Sequence, residues 1–245
     1  MSGPTVLGFD TATPATAVAL LLGDGRVLAR RHEPAEGERI GHVTRLLPLA
    51  LELLDEAGID WRALDRLAVG IGPGTFTGLR IGVATARALA QAHALPLVGV
   101  STLRALATGA DTGERPVLAV LDARRSEGFA AAWAPGAAAG VGGIPSAPLL
   151  APAALGAEQL AEAVAALGAA PLAVGEGTLR FRAHLEAAGA VVPADGSPEH
   201  RVDAAVHCRL AAATEPIPDA ADVLPAYLRL PDAELARRER DRSRS

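Results

Sequence analysis

Lysine is absent: every one of the 23 basic residues in this 245-residue chain is an arginine. A lysine nucleophile, a Schiff base and the phosphate-binding lysine of a P-loop are therefore excluded. The one cysteine, Cys208, has no partner for an intrachain disulfide, and a reducing cytoplasm is the expected compartment. Aromatic residues make up 3% of the chain against 50% hydrophobic, so the core has to be built from Ala, Val, Leu and Ile. No charge-free apolar run reaches the length of a membrane helix. The opening Met-Ser-Gly-Pro-Thr lacks the basic start and long apolar stretch of a signal peptide. Six histidines are present, but no HxxxH or HExxH pair and no Cys/His set has zinc spacing. A G-x-S-x-G elbow is also missing, which leaves hydrolase chemistry without support.

What is there describes a folded chain with a mild acidic balance. Twenty-three arginines against 28 acidic residues give a formal charge of −5. Half-apolar content at that charge excludes a disordered chain, and the length suits one large or two small domains. The sign argues against a nonspecific nucleic-acid coat. Glu234 to Arg244 holds five arginines and three acidic residues. A solvated, disordered tail over 231–245 is expected, with RNA contact as the alternative.

The pattern along the chain predicts a β-meander followed by alternating helices and strands. Thr5–Asp10, Ala15–Leu22 and Val27–Arg31 read as strands, with Gly23-Asp24-Gly25 as a hairpin turn. A helix is predicted over 39–57. Leu46, Leu49 or Ala50, Leu53 and Ala57 form one apolar stripe, and Leu47, Leu51 and Leu54 a second. That arc is wider than one core face needs. Pro48 is expected to kink it and Gly58 to stop it. Then follow a strand from Leu64 to Ile71, a helix capped by Thr75 or Thr77 and running to Gln91, a strand at Leu97–Val100 and a short helix capped by Ser101. After a linker-like stretch at 108–116, a related order restarts with the strand Val117–Asp122, which ends in Asp as Val6–Asp10 does. Strands at Gly128–Ala134 and Leu172–Val174 and helices at Glu158–Leu167, Leu179–Ala188 and Val202–Ala213 follow. The expected domains are 1–108 and 109–230.

Three features bear on chemistry. Asp10 and Asp122 at paired strand ends suit a divalent ion clasped between lobes; a turn-capping role for each is the plain alternative. Ala123-Arg124-Arg125-Ser126 follows Asp122 where a glycine-rich phosphate-wrapping hairpin is lacking. Gly70, Gly72 and Gly74 alternate ahead of a helix, a place able to bind an anion, yet the stretch is neither a Walker A motif nor a dinucleotide fingerprint. Gly78 and Gly82, with Ala86 and Ala90, make a smooth stripe for an internal helix contact or for a partner.

FDTAT at 9–13, His42–Pro48, GPGTFTGLRIG at 72–82, VSTLRALA at 100–107, DARRSE at 122–127 and YLR at 227–229 fall in one order. Together they resemble the TsaB (YeaZ) family, accessory subunits of the bacterial machinery that makes threonylcarbamoyladenosine in tRNA. The resemblance rests on Gly72, Gly74, Thr75, Thr77, Gly78, Arg80 and Arg124 among others. It implies an α/β, actin-like or sugar-kinase-like fold of two ribonuclease-H-like lobes. It also implies a noncatalytic scaffold for the TsaD-type transferase that modifies the adenosine beside the anticodon in ANN-decoding tRNAs. A TsaE-type ATPase joins that assembly, a homodimer is expected when the chain is alone, and tRNA is met only indirectly. Implied partner contacts come from His42, Leu46, Leu49 and Leu53 on the first helix and Phe76, Leu79, Gly82, Val83 and Ala86 on the next. No tightly bound cofactor is expected; weak ATP or ADP with magnesium at Asp10 and Asp122 is the allowance. The competing readings are a nucleotide-dependent small-molecule kinase or ATPase using both aspartates, and a tRNA binder using the Arg-rich tail.

Overall fold

The computed structural model describes residues 3–111, 113–138 and 147–229. The predicted tail at 231–245 lies outside the described residues, as does part of the Ala/Gly/Pro-rich stretch between 135 and 152.

The chain opens with β1 (Val6–Asp10), β2 (Thr16–Leu21), β3 (Val27–His32), α1 (His42–Ala57), β4 (Arg66–Gly72), α2 (Phe76–His93), β5 (Leu97–Ser101) and α3 (Thr102–Ala110). It continues with β6 (Val117–Arg124), β7 (Glu127–Trp133), β8 (Leu150–Gly156), α4 (Ala157–Ala166), β9 (Leu172–Val174), α5 (Glu176–Ala187) and α6 (Ala204–Ala212). Two sheets result, ordered β3-β2-β1-β4-β5 and β8-β7-β6-β9. Each is an antiparallel meander whose first strand also takes a parallel neighbour: β1 pairs with β2 and β4, β6 with β7 and β9. The expected restart of the element order is thus a repeated topology, with one strand fewer in the second sheet.

Strand alternation explains why both sheets are covered on both faces. In the first, Leu7, Phe9, Val18 and Leu20 pack under Leu46, Ala50 and Leu53 of α1 and Val83 and Ala86 of α2. Val6, Ala17 and Ala19 point the other way, against Ala204, Ala205 and Cys208 of α6. In the second, Leu118, Val120, Ala130 and Ala132 meet Leu160 of α4 and Phe181 and Leu185 of α5, while Ala119, Leu121 and Ala131 meet Leu103 and Leu106 of α3. Small strand residues let helices come close. A Cβ on Gly8 would stand 2.7 Å from Cys208 Sγ. Burial pushes that thiol up to about 12, so it stays protonated at neutral pH.

The helices exchange between the sheets. α3 follows the first sheet in sequence but covers a face of the second, and α6 follows the second sheet but covers a face of the first. The lobes are therefore interlocked across residue 108.

Several boundaries differ from the sequence pattern for local reasons. α1 begins at His42 because Gly41 takes the N-cap position. The helix continues through Pro48. The carbonyl that Pro48 leaves without its helical partner belongs to Thr44, an exposed residue. α6 starts at Ala204 because the Asp203 side chain accepts from Ala205 N. Leu150–Gly156, at the end of a stretch whose composition allows loop with one strand, form β8 against β7.

Candidate functional site

Asp10 closes β1 and is 1% exposed. One carboxylate oxygen accepts the Ala12 amide at 2.7 Å. The other accepts the Thr102 hydroxyl at 2.7 Å and lies 3.0 Å from His207 Nε2. Gly70 of β4 gives it room: a Cβ there would sit 1.8 Å from Asp10 Oδ2. Burial alone would push this carboxyl up. The His207 hydrogen bond and charge, the Ala12 amide and the Thr102 hydroxyl outweigh burial and hold it below the ordinary value. A carboxylate whose two oxygens accept from Ala12 and Thr102 and lie against a buried imidazole 3.0 Å away does not fit the clasped cation that its position suggests.

Asp122 is in the opposite condition. It is exposed near the end of β6, accepts Arg124 N at 2.8 Å and pairs with Arg180 at 3.4 Å. Arg124, Arg125 and Ser126 all take positive φ, at 61°, 50° and 63°. Left-handed backbone at three successive non-glycine residues is costly and concentrates at functional loops. Glu176, at the start of α5, was not singled out in the sequence. It lines a cleft of about 380 Å³ with Asp122, Arg124, Arg180, Arg31 and Glu33. Burial, with the Asp122 charge, pushes its carboxyl up to about 7. Its Gly-Glu-Gly context resembles an ordinary turn, so only the folded chain reveals it. His207 and Thr102 were likewise missed, since nothing local ties them to Asp10.

The glycine-rich segment is shaped by close approach. Cβ atoms on Gly74 and Gly78 would stand 2.4 Å from the Ala12 carbonyl oxygen and 2.0 Å from that of Thr11; one on Gly82 would stand 2.3 Å from Thr11 Oγ1. Thr11 Oγ1 donates to the Gly78 carbonyl at 2.7 Å. The smooth stripe of α2 therefore meets the β1–β2 turn of the same lobe, the internal alternative. Gly72 has φ 100°, and its peptide with Pro73 is cis. The C-terminal YLR segment docks here. Ala226 N donates to the Ile71 carbonyl at 2.7 Å. The Arg80 guanidinium lies 3.8 Å over the Phe76 ring, and Tyr227 packs 5.2 Å from that ring. Arg229 pairs with Glu127 at 2.8 Å.

A second cleft, of about 330 Å³, lies between this segment and the β6–β7 hairpin. It is bordered by His42, Gly74, Thr75, Phe76, Thr77, Gly78, Asp122, Arg124, Phe129 and Tyr227. His42 is 2% exposed and its Nδ1 lies 2.8 Å from Thr16 Oγ1. Burial holds the imidazole below its ordinary pKa, opposed by the Asp10 charge and the Thr13 carbonyl.

The residues expected to meet a partner mostly fill this protein's own core. Leu46, Leu53, Leu79, Val83 and Ala86 are at most 3% exposed, Gly82 is buried, and Leu49 and Phe76 are half-buried. Leu46, Leu53, Val83 and Ala86 cover the first sheet and so do not form an outer surface. The second stripe divides: Leu54 is buried, while Leu47 and Leu51 are 40% and 52% exposed. With Val43, 73% exposed, they form an i, i+4, i+8 row on the outer side of α1. α2, covering the same sheet face, exposes Ala84, Ala88 and Arg80. Among the described residues, no group of three or more His, Cys, Asp or Glu is placed to hold a metal ion, and no helix is long and apolar enough to cross a membrane.

Comparison with known proteins points one way. The family model described as "TsaD: tRNA N6-adenosine threonylcarbamoyltransferase" matches residues 36–135. The Escherichia coli protein named "tRNA threonylcarbamoyladenosine biosynthesis protein TsaB" is 43% identical over 131 residues, 53% of this chain and 53% of that protein. The match spans about half the length of the curated relatives. Among solved structures, a Pseudomonas aeruginosa protein described as similar to the peptidase YeaZ superposes with a TM-score of 0.72 at 31% identity, covering 94% of this chain and 100% of the other. YeaZ from Pseudomonas aeruginosa gives a TM-score of 0.71 at 29% identity, over 91% and 100%.

Proposed function

The chain belongs to the TsaB/YeaZ family, and from that membership we propose that it is the noncatalytic partner of a TsaD-type threonylcarbamoyl transferase in tRNA modification. The observation that carries the reading is the outer face of α1. Val43, Leu47 and Leu51 form an apolar row with no cover among the described residues, beside the small surface of α2. Such a row on an otherwise satisfied lobe is what a helical partner buries. The sealed Asp10 supports a role without chemistry of its own, since a superfamily ATPase needs a strand-end carboxylate free to act near a metal.

The same face serves two occupants in this reading. It holds a second copy when the chain is alone and the transferase subunit when that is present. A TsaE-type ATPase joins the assembled pair, and tRNA is met through the complex. Nucleotide with magnesium binds weakly, at the charged cleft around Asp122.

Co-purification with a TsaD-type subunit and reconstituted tRNA modification test this directly. Leu47→Glu combined with Leu51→Glu should abolish both, with circular dichroism and thermal unfolding of the isolated chain unchanged. Retention of both by a folded double variant would overturn the docking assignment. Calorimetry with ATP and magnesium covers the enzyme reading: tight binding lost on Asp10→Asn in a folded protein would favour it.

A further inference from the structure

We infer that residues 223–229 form a releasable strap across the cleft between the lobes, anchored on the first lobe and latched to the second by Arg229 and Glu127. By packing, α3 belongs with the second sheet and α6 with the first. Among the described residues, the chain then passes between the lobes at three places. These are the step from β5 into α3, the run from His200 into α6, and the C-terminal segment. The first two lie side by side, because α3 packs on α6 and on the short turn Pro198–His200. The Thr102 hydroxyl and the His207 ring also meet on Asp10 there. Neither α3 nor α6 borders the 330 Å³ cleft, whereas residues 226–229 line it. Two crossings at a shared base and one at the cleft is the arrangement of a hinge with a strap.

The two ends of the strap are held differently. On the first lobe, Val223 is 2% exposed within the core, and Ala226 N donates to the Ile71 carbonyl at 2.7 Å. Tyr227 packs on Phe76, and Arg80 Nε donates to its hydroxyl at 3.3 Å. Two residues later the chain is on the other lobe. Half-buried Leu228 packs against the core that contains Phe129. Arg229 pairs with Glu127 at 2.8 Å, with side chains 20% and 38% exposed.

A partly exposed ion pair is screened by salt and contributes little, while a buried valine and a backbone hydrogen bond are not screened. The strap therefore releases at its Glu127 end and stays with the first lobe. Glu127 opens β7 directly after the left-handed residues Arg124, Arg125 and Ser126. Release frees the hairpin that walls the cleft, so the latch sets how far the lobes part. The strap is separate from the outer face of α1 and does not depend on what covers that face.

Pulsed electron paramagnetic resonance on the full chain tests the strap. Spin labels at Gln91→Cys on α2 and Glu162→Cys on α4 report on one lobe each, and buried Cys208 takes no label. Dilution into excess unlabelled chain keeps every distance within one copy. At low salt the latched chain should give one narrow distance. Glu127→Gln and Arg229→Gln should each add a population displaced by about 5 Å, which a rotation of about 15° produces ~20 Å from a hinge. Glu127→Arg combined with Arg229→Glu should restore the original distance. Arg26→Gln removes an exposed pair of the same 2.8 Å length away from the cleft and should change nothing. Glu127→Gln keeps the shape of the side chain and the β7 backbone pairing, so it decides alone if an Arg229 variant does not fold. An unchanged distance in Glu127→Gln, an equal change from Arg26→Gln, or no recovery in the folded charge exchange would overturn the latch.

Discussion

Asp10 and Asp122 lie in the corresponding central strands of the two sheets, β1 and β6, one at the very end and one near it, yet share almost nothing else. Asp10 is buried against the Ala12 amide, the Thr102 hydroxyl and the His207 ring, from β1–β2, α3 and α6. Asp122 is exposed to the cleft and touches arginines of its own lobe. What separates them is the exchange of helices: α6 crosses to the first sheet and delivers His207 to Asp10. A strand-end carboxylate is thus a fastener in one lobe and a cleft group in the other. Repeated topology does not carry repeated chemistry.

The sharpest way to break this contrast is to attack the sealed side. Asp10→Ala should leave buried His207 and the Thr102 hydroxyl without their acceptor and cost about 3–5 kcal/mol, read from urea unfolding midpoints. Gly70→Ala should cost a similar amount, since its Cβ would fall 1.8 Å from Asp10 Oδ2. The pH dependence has a defined sign. Because the folded Asp10 carboxyl is held below its ordinary value, its contribution is full above about pH 4 and lost as pH falls through the folded value. Asp10→Asn should therefore flatten the acid limb of the stability profile. An unchanged limb would remove Asp10 from the role of fastener.

A second contrast lies within one helix. Leu46 and Leu47 are neighbours, one 2% and the other 40% exposed. Leu46→Ala should destabilise by about 2–5 kcal/mol, whereas Leu47→Ala should stay within about 0.5 kcal/mol and weaken only partner binding. Equal losses from both would mean that the outer row is part of the core.

Much of this arrangement is legible in the amino-acid order, and the gaps have physical causes. Alternation in TVLGFD and the Gly23-Asp24-Gly25 turn suffice to predict the opening meander, because strand and turn signals are local. The excess apolar arc on α1 is also visible. Which of its stripes faces outward is not, because Leu46 and Leu47 are equally apolar and only the packing of α1 on β2 decides. Pro48 looks like a break until the residue four before it, Thr44, is seen to be exposed. His207 sits 197 positions from Asp10, and no local pattern carries a pairing at that range. The stripe at Gly78 and Gly82 announces close approach but not what approaches.

Glu176 belongs to the open side of the comparison and titrates in the opposite direction to Asp10. Its carboxyl is pushed up to about 7 from an ordinary 4.5, so the folded chain keeps a proton that the unfolded chain has released. That contribution is full below the ordinary value and lost as pH rises through about 7. Glu176→Gln should flatten this slope and leave the variant about 3 kcal/mol more stable than the parent at pH 8. A slope that survives the substitution would assign it to another group.

The smallest effect should come from Asp122 itself. Its bond to Arg180 is 3.4 Å long between side chains 46% and 41% exposed, the kind of surface pair that contributes little. Asp122→Asn keeps an oxygen for the Arg124 amide that holds the left-handed hairpin. Its unfolding midpoint should move by the equivalent of less than about 0.5 kcal/mol. The same substitution removes a charge beside Glu176, so the Glu176 midpoint should fall toward the ordinary value even though stability hardly changes at acid pH. Carbon-13 titration of the glutamate side chains separates the two readouts. A large loss of stability would make Asp122 a fastener like Asp10 and erase the difference between the lobes; an unmoved Glu176 would leave burial alone as the cause of its raised value.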